Sequence, residues 1–538
     1  MKPASIKKAS ALGAAVATAL GAHSAWALDA VTTYADTAHT AIVYFAGSTA
    51  TDQSLEESFL LITGGLCTNA NPSGDDFAAS TRIDVYRAAN QKAVVCTKRS
   101  GVGSAFTKMV FFKESNGGSG NSMKSVTNTK LDYLDIAQVQ GTFTCSTSTD
   151  VAHTTTLMSY ENHTGCSLRT GTNGQVPDGG IADVEPALLG LTPTQASQLT
   201  TRSVFGVVFS PAVSLNLYRA LQEAEGKDKT KDDDANMPSL TESQLRSIYN
   251  NQIQDWGQLL NSAGVPITTV KPAAGATTTV GPAGGDGTVF VCRRGASSGT
   301  QASFQSQFSR QGIVTNPVVA GVTTFVEPDD PGQIAAPVSW TTDTMANGSV
   351  RVWGLNSSGD AKNCLDAFHD QNHWAIGVIS TEGTYSLDDG VATIENPLPT
   401  TTTDAAPNEW RWIKTQGVAP TLMNVANGNY DFFTETVVNE SSTFAGTDAH
   451  NLITSLLTTM GSPSSIAGIN VAHRNTHGDG GLLAIPGSPP TLPVTCATMR
   501  TNPTNTQRRT INLSSPNNKV DSWELSSSVA GGSLGTCP

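Results

Sequence analysis

Three segments of the chain repeat one arrangement of apolar and polar positions: a run of consecutive apolar residues, a turn of small residues, and then a helical spacing. The first has Thr40 to Ala46 (TAIVYFA), a turn at Gly47-Ser48-Thr49, and an amphipathic pattern from Asp52 to Leu61. The second has Lys108 to Phe112 (KMVFF), the turn Gly117-Gly118-Ser119-Gly120, and a helical pattern through Met123 and Val126. The third has Thr288 to Cys292 (TVFVC), a turn from Arg293 to Thr300, and a helix with Phe304 and Phe308 on one face. Unbroken apolar runs suit strands buried on both faces, and their alternation with helices predicts an α/β protein built on a parallel sheet.

The segments between these are different in kind. Asn128 to Gly180 is rich in Thr, Ser and Gly and holds Cys145 and Cys166, so it reads as a stapled surface insertion. Glu223 to Asp234 (EAEGKDKTKDDD) is a mixed-sign charge run, expected as a solvated loop or frayed helix end. Leu398 to Pro407 has the Thr and Pro content of a linker, and His473 to Pro538 reads as an irregular C-terminal extension. A chain of 538 residues is expected to form more than one domain.

The N-terminal segment and the cysteines lead to the expectation of an exported chain. Lys2, Lys7 and Lys8 precede an Ala-rich apolar run, and Ala25-Trp26-Ala27 offers a small-x-small cleavage site, so residues 1–27 read as a signal peptide. The leader holds three Lys and no acid, so the net charge of −13 becomes −16 without it, which argues against a nucleic-acid partner. No later stretch is long and apolar enough to span a membrane. The eight Cys are expected to form disulfides in an oxidising compartment, with chain proximity favouring Cys67–Cys96, Cys145–Cys166, Cys292–Cys364 and Cys496–Cys537. None is spaced as in a zinc ribbon, and the reading calls for no metal and no cofactor.

The repeated turns carry the candidate chemistry. The first amides of a helix lack intrahelical partners and sit at the positive end of its dipole, so a small-residue turn there lets an anion approach the backbone. Arg294 adds a forked cationic donor. Ser48, Thr49, Ser119, Ser298 and Thr300 add hydroxyls, and Ala50 and Gly299 add backbone amides. Together they suit a tetrahedral oxyanion.

These same residues give the chain a resemblance to the phosphate-binding component of bacterial phosphate ABC transporters. Ala46-Gly47-Ser48-Thr49-Ala50 stands where that family has Gly-x-Gly-[Ala/Ser]-Thr, and Gly118-Ser119-Gly120 before Lys124 resembles its Gly-Ser-x-Gly motif. Gly179-Gly180-Ile181-Ala182-Asp183 is similar to its Phe-Gly-Ala-Ser-Asp stretch, and Arg294 to Thr300 to its Arg-x-Asp-x-Ser-Gly-Thr. Leu240 to Trp256 resembles a family helix ending in Trp, and Trp374 to Val378 its Gly-Ala-Ile-Gly-Tyr strand. The likeness runs over roughly residues 38 to 460. It departs from the family at Ala296, where an Asp is usual, at Ala50, where an aromatic is usual, and in its length.

The resemblance implies a type II periplasmic-binding-protein fold, two α/β domains with a ligand cleft between them. Domain one would comprise residues 28–207 and 434–472, domain two 208–433, and the two crossings would lie near Ser203 to Ser210 and Asn429 to Val438. It implies a ligand shell of Ser48, Thr49, Ala50, Ser119, Asp183, Arg294, Ser298, Gly299 and Thr300. Ionised Asp183 accepts hydrogen bonds only, so it would welcome a protonated phosphate and repel sulfate. The implied protein is a monomeric, periplasmic or secreted binding protein for phosphate or a similar oxyanion, with an ABC permease as partner and no membrane anchor.

Two other classes remain open at this level. Gly295-Ala296-Ser297-Ser298-Gly299 matches the nucleophile-elbow pattern, with Asp366 and His373 following in the order of an esterase, and a secreted phosphatase, which would need a metal pair or a nucleophile with a base, is a second enzymatic reading. An extracellular interaction protein could also have kept the binding fold without transport.

Overall fold

The computed structural model describes residues 29–484, apart from 76, 78–80, 104, 250–251, 270–286, 296, 310–349, 383–408, 427 and 473–481. The signal peptide, Ala296, the linker at 398–407, and the extension except 482–484 therefore lie outside the described residues, as do Cys496 and Cys537.

Eight strands organise the molecule. They are β1 (Thr40–Gly47), β2 (Lys108–Glu114), β3 (Gly179–Ala182), β4 (Leu199–Ser214), β5 (Val289–Arg294), β6 (Val350–Leu355), β7 (Ala375–Ser380) and β8 (Phe433–Ser441). In the first half β1 lies between β2 and β3, parallel to both. In the second half β5 lies between β6 and β7, again parallel to both. β4 joins the halves: its first part pairs antiparallel with β8, which borders β3, and its last part pairs antiparallel with β7. Each half thus has the order second–first–third, followed by an antiparallel crossing strand. This is the topology of a type II periplasmic-binding protein.

The local chemistry explains these elements. β1 is buried along almost its whole length, as a strand covered on both faces must be. It ends at Gly47 with φ of +118°, where a side chain would run into the Ile181 carbonyl oxygen, so only glycine fits. Three helices begin close to strand ends: α1 (Asp52–Leu60), α2 (Gly299–Phe304) and α3 (Ser358–Asp370). The main apolar core includes Phe45, Phe59 and Phe111 of the first half and Trp256, Phe304 and Ile376 of the second. A separate aromatic core holds Phe290, Trp353, Phe368, Trp410 and Trp412 behind α3.

Several expectations are corrected. The segment 128–180 is more than a surface excursion, because Tyr133 and Leu134 are fully buried and Tyr160–Thr164 extends the main sheet by pairing with Asp84–Ala88. In the charge run, Asp232 is buried and pairs with Arg219 and Arg411, which tie the loop inward. The helix expected from Leu240 to Trp256 stops early: Glu242–Tyr249 is helical, and Trp256–Gln258 is a separate turn capped by Asp255. Within the tail, Leu482–Ala484 is a strand on β4. Disulfides Cys67–Cys96, Cys145–Cys166 and Cys292–Cys364 are formed as proximity suggested. Among the described residues no helix is long and apolar enough to cross a membrane.

Candidate functional site

The ends of β1, β3, β5 and β6 meet where the two halves face each other. After Gly47 the chain turns sharply, held by a hydrogen bond from the Ser48 amide to the Ile181 carbonyl (2.8 Å). Beneath this turn lies the buried Lys113, whose ammonium donates to the carbonyls of Gly47 (3.0 Å) and Ser48 (3.2 Å) and pairs with Asp52 (3.1 Å). The Ser48 hydroxyl accepts the Ala50 amide (3.0 Å) and donates to Oδ1 of Asp183. On the neighbouring turn, Ser119 Oγ accepts the Asp183 amide at 3.1 Å.

The second half closes over these groups. Thr300 Oγ1 donates to Oδ2 of Asp183 (3.3 Å), so the carboxylate is held from both sides. Ser298 caps α2 by accepting the Gln301 amide (3.3 Å). Gly299 packs so tightly that a Cβ there would strike Ser119 Oγ and Asp183. The Ser297 carbonyl accepts the Gly120 amide (2.8 Å), and its hydroxyl donates to the Gly117 carbonyl (2.5 Å).

Arg294 ends β5 and is 2% exposed. Its Nη1 donates to Ser358 Oγ (2.8 Å), and its Nη2 to Thr49 Oγ1 (3.2 Å) and the Asn356 carbonyl (3.0 Å). Its Nε is buried with no hydrogen-bond partner among the described residues. The bond to Thr49 crosses from one half to the other. Burial pushes the guanidinium down to about 10, against the pull of Asp183, Asp360 and Asp52. Burial likewise holds the Asp183 carboxyl above its ordinary value, opposed by Ser48, Arg294, Ser119 and Thr300.

All nine residues singled out in the sequence come together here, and no fourth turn had been recognised. Ser358, which holds Arg294, and Asn356, which takes its Nη2, were missed. The signal was present: β6 is followed by Asn356-Ser357-Ser358-Gly359 and a helix, a further strand, small-residue turn and helix. Ser357 and Asp360 form a capping box there, with Ser357 Oγ accepting the Asp360 amide (3.0 Å) and Asp360 accepting the Ser357 amide (2.9 Å). The helix termini contribute differently from expectation. After Gly117 the chain forms a 3₁₀ turn, Gly118–Met123, and α2 has six residues, so side-chain donors carry more of this site than helix dipoles.

No protein-family model and no curated protein matches this chain. Solved structures do show likeness. One is a Clostridium perfringens protein assigned as a phosphate ABC transporter substrate-binding protein, solved with bound phosphate: 13% identity, 82% of this chain and 99% of that one, TM-score 0.36. A second is PstS from Borrelia burgdorferi, at 12% identity, 80% and 96% coverage, and TM-score 0.30. A third, an ABC-type phosphate transport receptor from Vibrio cholerae, has 18% identity, 55% and 78% coverage, and TM-score 0.27. At these values the likeness carries no argument about function, and the fold rests on the strand order described above.

The esterase constellation is engaged otherwise. The Ser297 hydroxyl is given to Gly117, Asp366 accepts the Glu409 amide (2.6 Å), and the His373 ring packs on Phe290. A cluster of Asp84, Glu161 and His163 has metal-ligand composition, but Arg82 already pairs with both carboxylates. The central site brings together the buried Arg294 guanidinium, the hydroxyls of Ser48, Thr49, Ser119, Thr300 and Ser358, and the Asp183 carboxylate, while the buried Lys113 is turned to the backbone carbonyls beneath.

Proposed function

We propose that this protein is an exported solute-binding protein that captures phosphate or a related tetrahedral oxyanion between its two halves. The observation that carries the reading is Arg294: a buried guanidinium from the second half, bonded across to Thr49 of the first, with no hydrogen-bond partner for its Nε among the described residues and Asp183 among the charges acting on it. A buried cation is costly unless something anionic repays its desolvation. The ligand shell is Ser48, Thr49, Ala50, Ser119, Asp183, Arg294, Ser298, Gly299 and Thr300, to which Ser358 is added. In this reading domain one is 28–207 with 434–472, domain two is 208–433, and 473–538 is an extension. The domains close over the anion by hinge motion. The protein acts as a monomer outside the cytoplasm and hands its ligand to an ABC permease.

Calorimetric titration of the mature chain, freed of carried-over phosphate by partial unfolding and dialysis, tests this. Phosphate is expected to bind and sulfate to be refused, with Asp183→Asn admitting sulfate. Folded protein that takes up neither anion would sink the reading.

A further inference from the structure

A cleft of about 370 Å³ lies between the halves and shares three residues with the oxyanion shell. Thr49, Ala50 and Ser358 form its inner end. One wall is α1, with Asp52, Gln53 and Glu56, and the other is the start of α3 and the chain just after β7, with Lys362 and Glu382. A tetrahedral oxyanion needs roughly the room of two or three waters at about 30 Å³ each. The cleft is several times larger and lies in the range of about 300–1,000 Å³ that small organic ligands occupy. Its walls are polar and hydrogen-bonding rather than apolar.

The charges along the cleft restrict what the extra volume takes. Glu56 is paired with Arg87 and Lys92, and Asp52 with Lys113, so these carboxylates are already balanced. Glu382, whose charge acts on the buried Lys362 in the same wall, is 2% exposed and belongs to the second half, yet its Oε1 accepts the amide of Ser54 (2.5 Å) and the Ser54 hydroxyl in the first turn of α1. The first amides of a helix are where an anionic group binds. A carboxylate of the protein already occupies that place.

We propose that the cleft is a subsite for the organic part of a phosphate monoester whose alcohol is neutral and hydroxylated, and that Glu382 excludes ligands bearing a second anionic group. The phosphate group would sit in the Arg294 shell, so this inference rests on the oxyanion reading. Hydroxyls of the alcohol would face Gln53, Tyr160 and Ser380, which line the cleft.

The test is calorimetric titration of the full mature chain with phosphate, glycerol phosphate and pyrophosphate, in wild type, Gln53→Trp and Glu382→Gln. Gln53 is an exposed residue at the cleft and outside the oxyanion shell. Glycerol phosphate is expected to bind at least as tightly as phosphate. Gln53→Trp should weaken it about tenfold or more while leaving phosphate within about threefold, and Glu382→Gln should raise pyrophosphate affinity relative to phosphate about tenfold. Phosphate bound with glycerol phosphate refused, or Gln53→Trp moving both equally, overturns the subsite and leaves the oxyanion reading intact. Glycerol phosphate bound without free phosphate supports the subsite. Folded protein that binds no probe overturns both.

Discussion

Replacing Arg294 by methionine separates what its guanidinium does for a ligand from what it does to the fold. Burial holds the side chain's pKa down at about 10, well below an arginine's ordinary value. At about 1.4 kcal/mol for each tenfold change in proton affinity, the charged form carries about 3 kcal/mol of net desolvation at neutral pH. Methionine removes that cost but also the hydrogen bond from Nη2 to the Asn356 carbonyl, a loss of about 1–3 kcal/mol. Thr49 and Ser358 keep their mutual hydrogen bond of 3.1 Å. The ligand-free variant is therefore expected to be as stable as wild type or more so, by up to about 2 kcal/mol. Binding moves the other way. Two charge-assisted bonds to an oxyanion, at about 1.5–3 kcal/mol each, put the loss of affinity at about 10²- to 10⁴-fold. Urea unfolding without and with phosphate, beside titration calorimetry, reads both quantities on one sample. A variant destabilised by more than about 2 kcal/mol that still binds phosphate within about threefold would refute the assignment of a strained, ligand-directed cation.

Other expectations follow from the same geometry. Because burial raises the Asp183 carboxyl above its ordinary 3.8, the folded state holds this proton more tightly than the unfolded. Its contribution to stability is full below about pH 4 and is lost as pH rises through the folded value, so Asp183→Asn should flatten that fall in unfolding measured from acid to neutral pH. Ser358→Ala should weaken phosphate by about three- to tenfold in calorimetry, since it frees Nη1 of Arg294 while keeping the charge. Removing Cys292–Cys364, which closes 72 residues, should cost up to about 4 kcal/mol in denaturant unfolding; an unchanged midpoint would show that the reduced chain is already constrained there.

The sequence alone determined a good deal. Unbroken apolar runs followed by Gly, Ser and Thr specify buried strands that turn into helices, because these are local matters of burial, capping and φ. From them came the α/β class, Gly47 and eight of the nine candidate site residues, Asp183 being supplied by the family resemblance, and the nearest Cys partners proved to be bonded at the three pairs described. What stayed hidden depends on approach in space. Nothing local to Ser54 and Glu382 announces that they touch across 328 positions. Lys113 reads as an ordinary strand lysine until its ammonium is seen beneath the Gly47–Ser48 turn. Asp232 sits within a run of soluble charges, and only its pairing with Arg219 and Arg411 shows why it is buried. The helix starts were legible as turns, but their lengths were not, because the strand pairing around them decides where each helix ends. Tertiary structure also set the electrostatics. The shifts at Arg294 and Asp183 come from desolvation, which exists only once the two halves have closed on the residues between them.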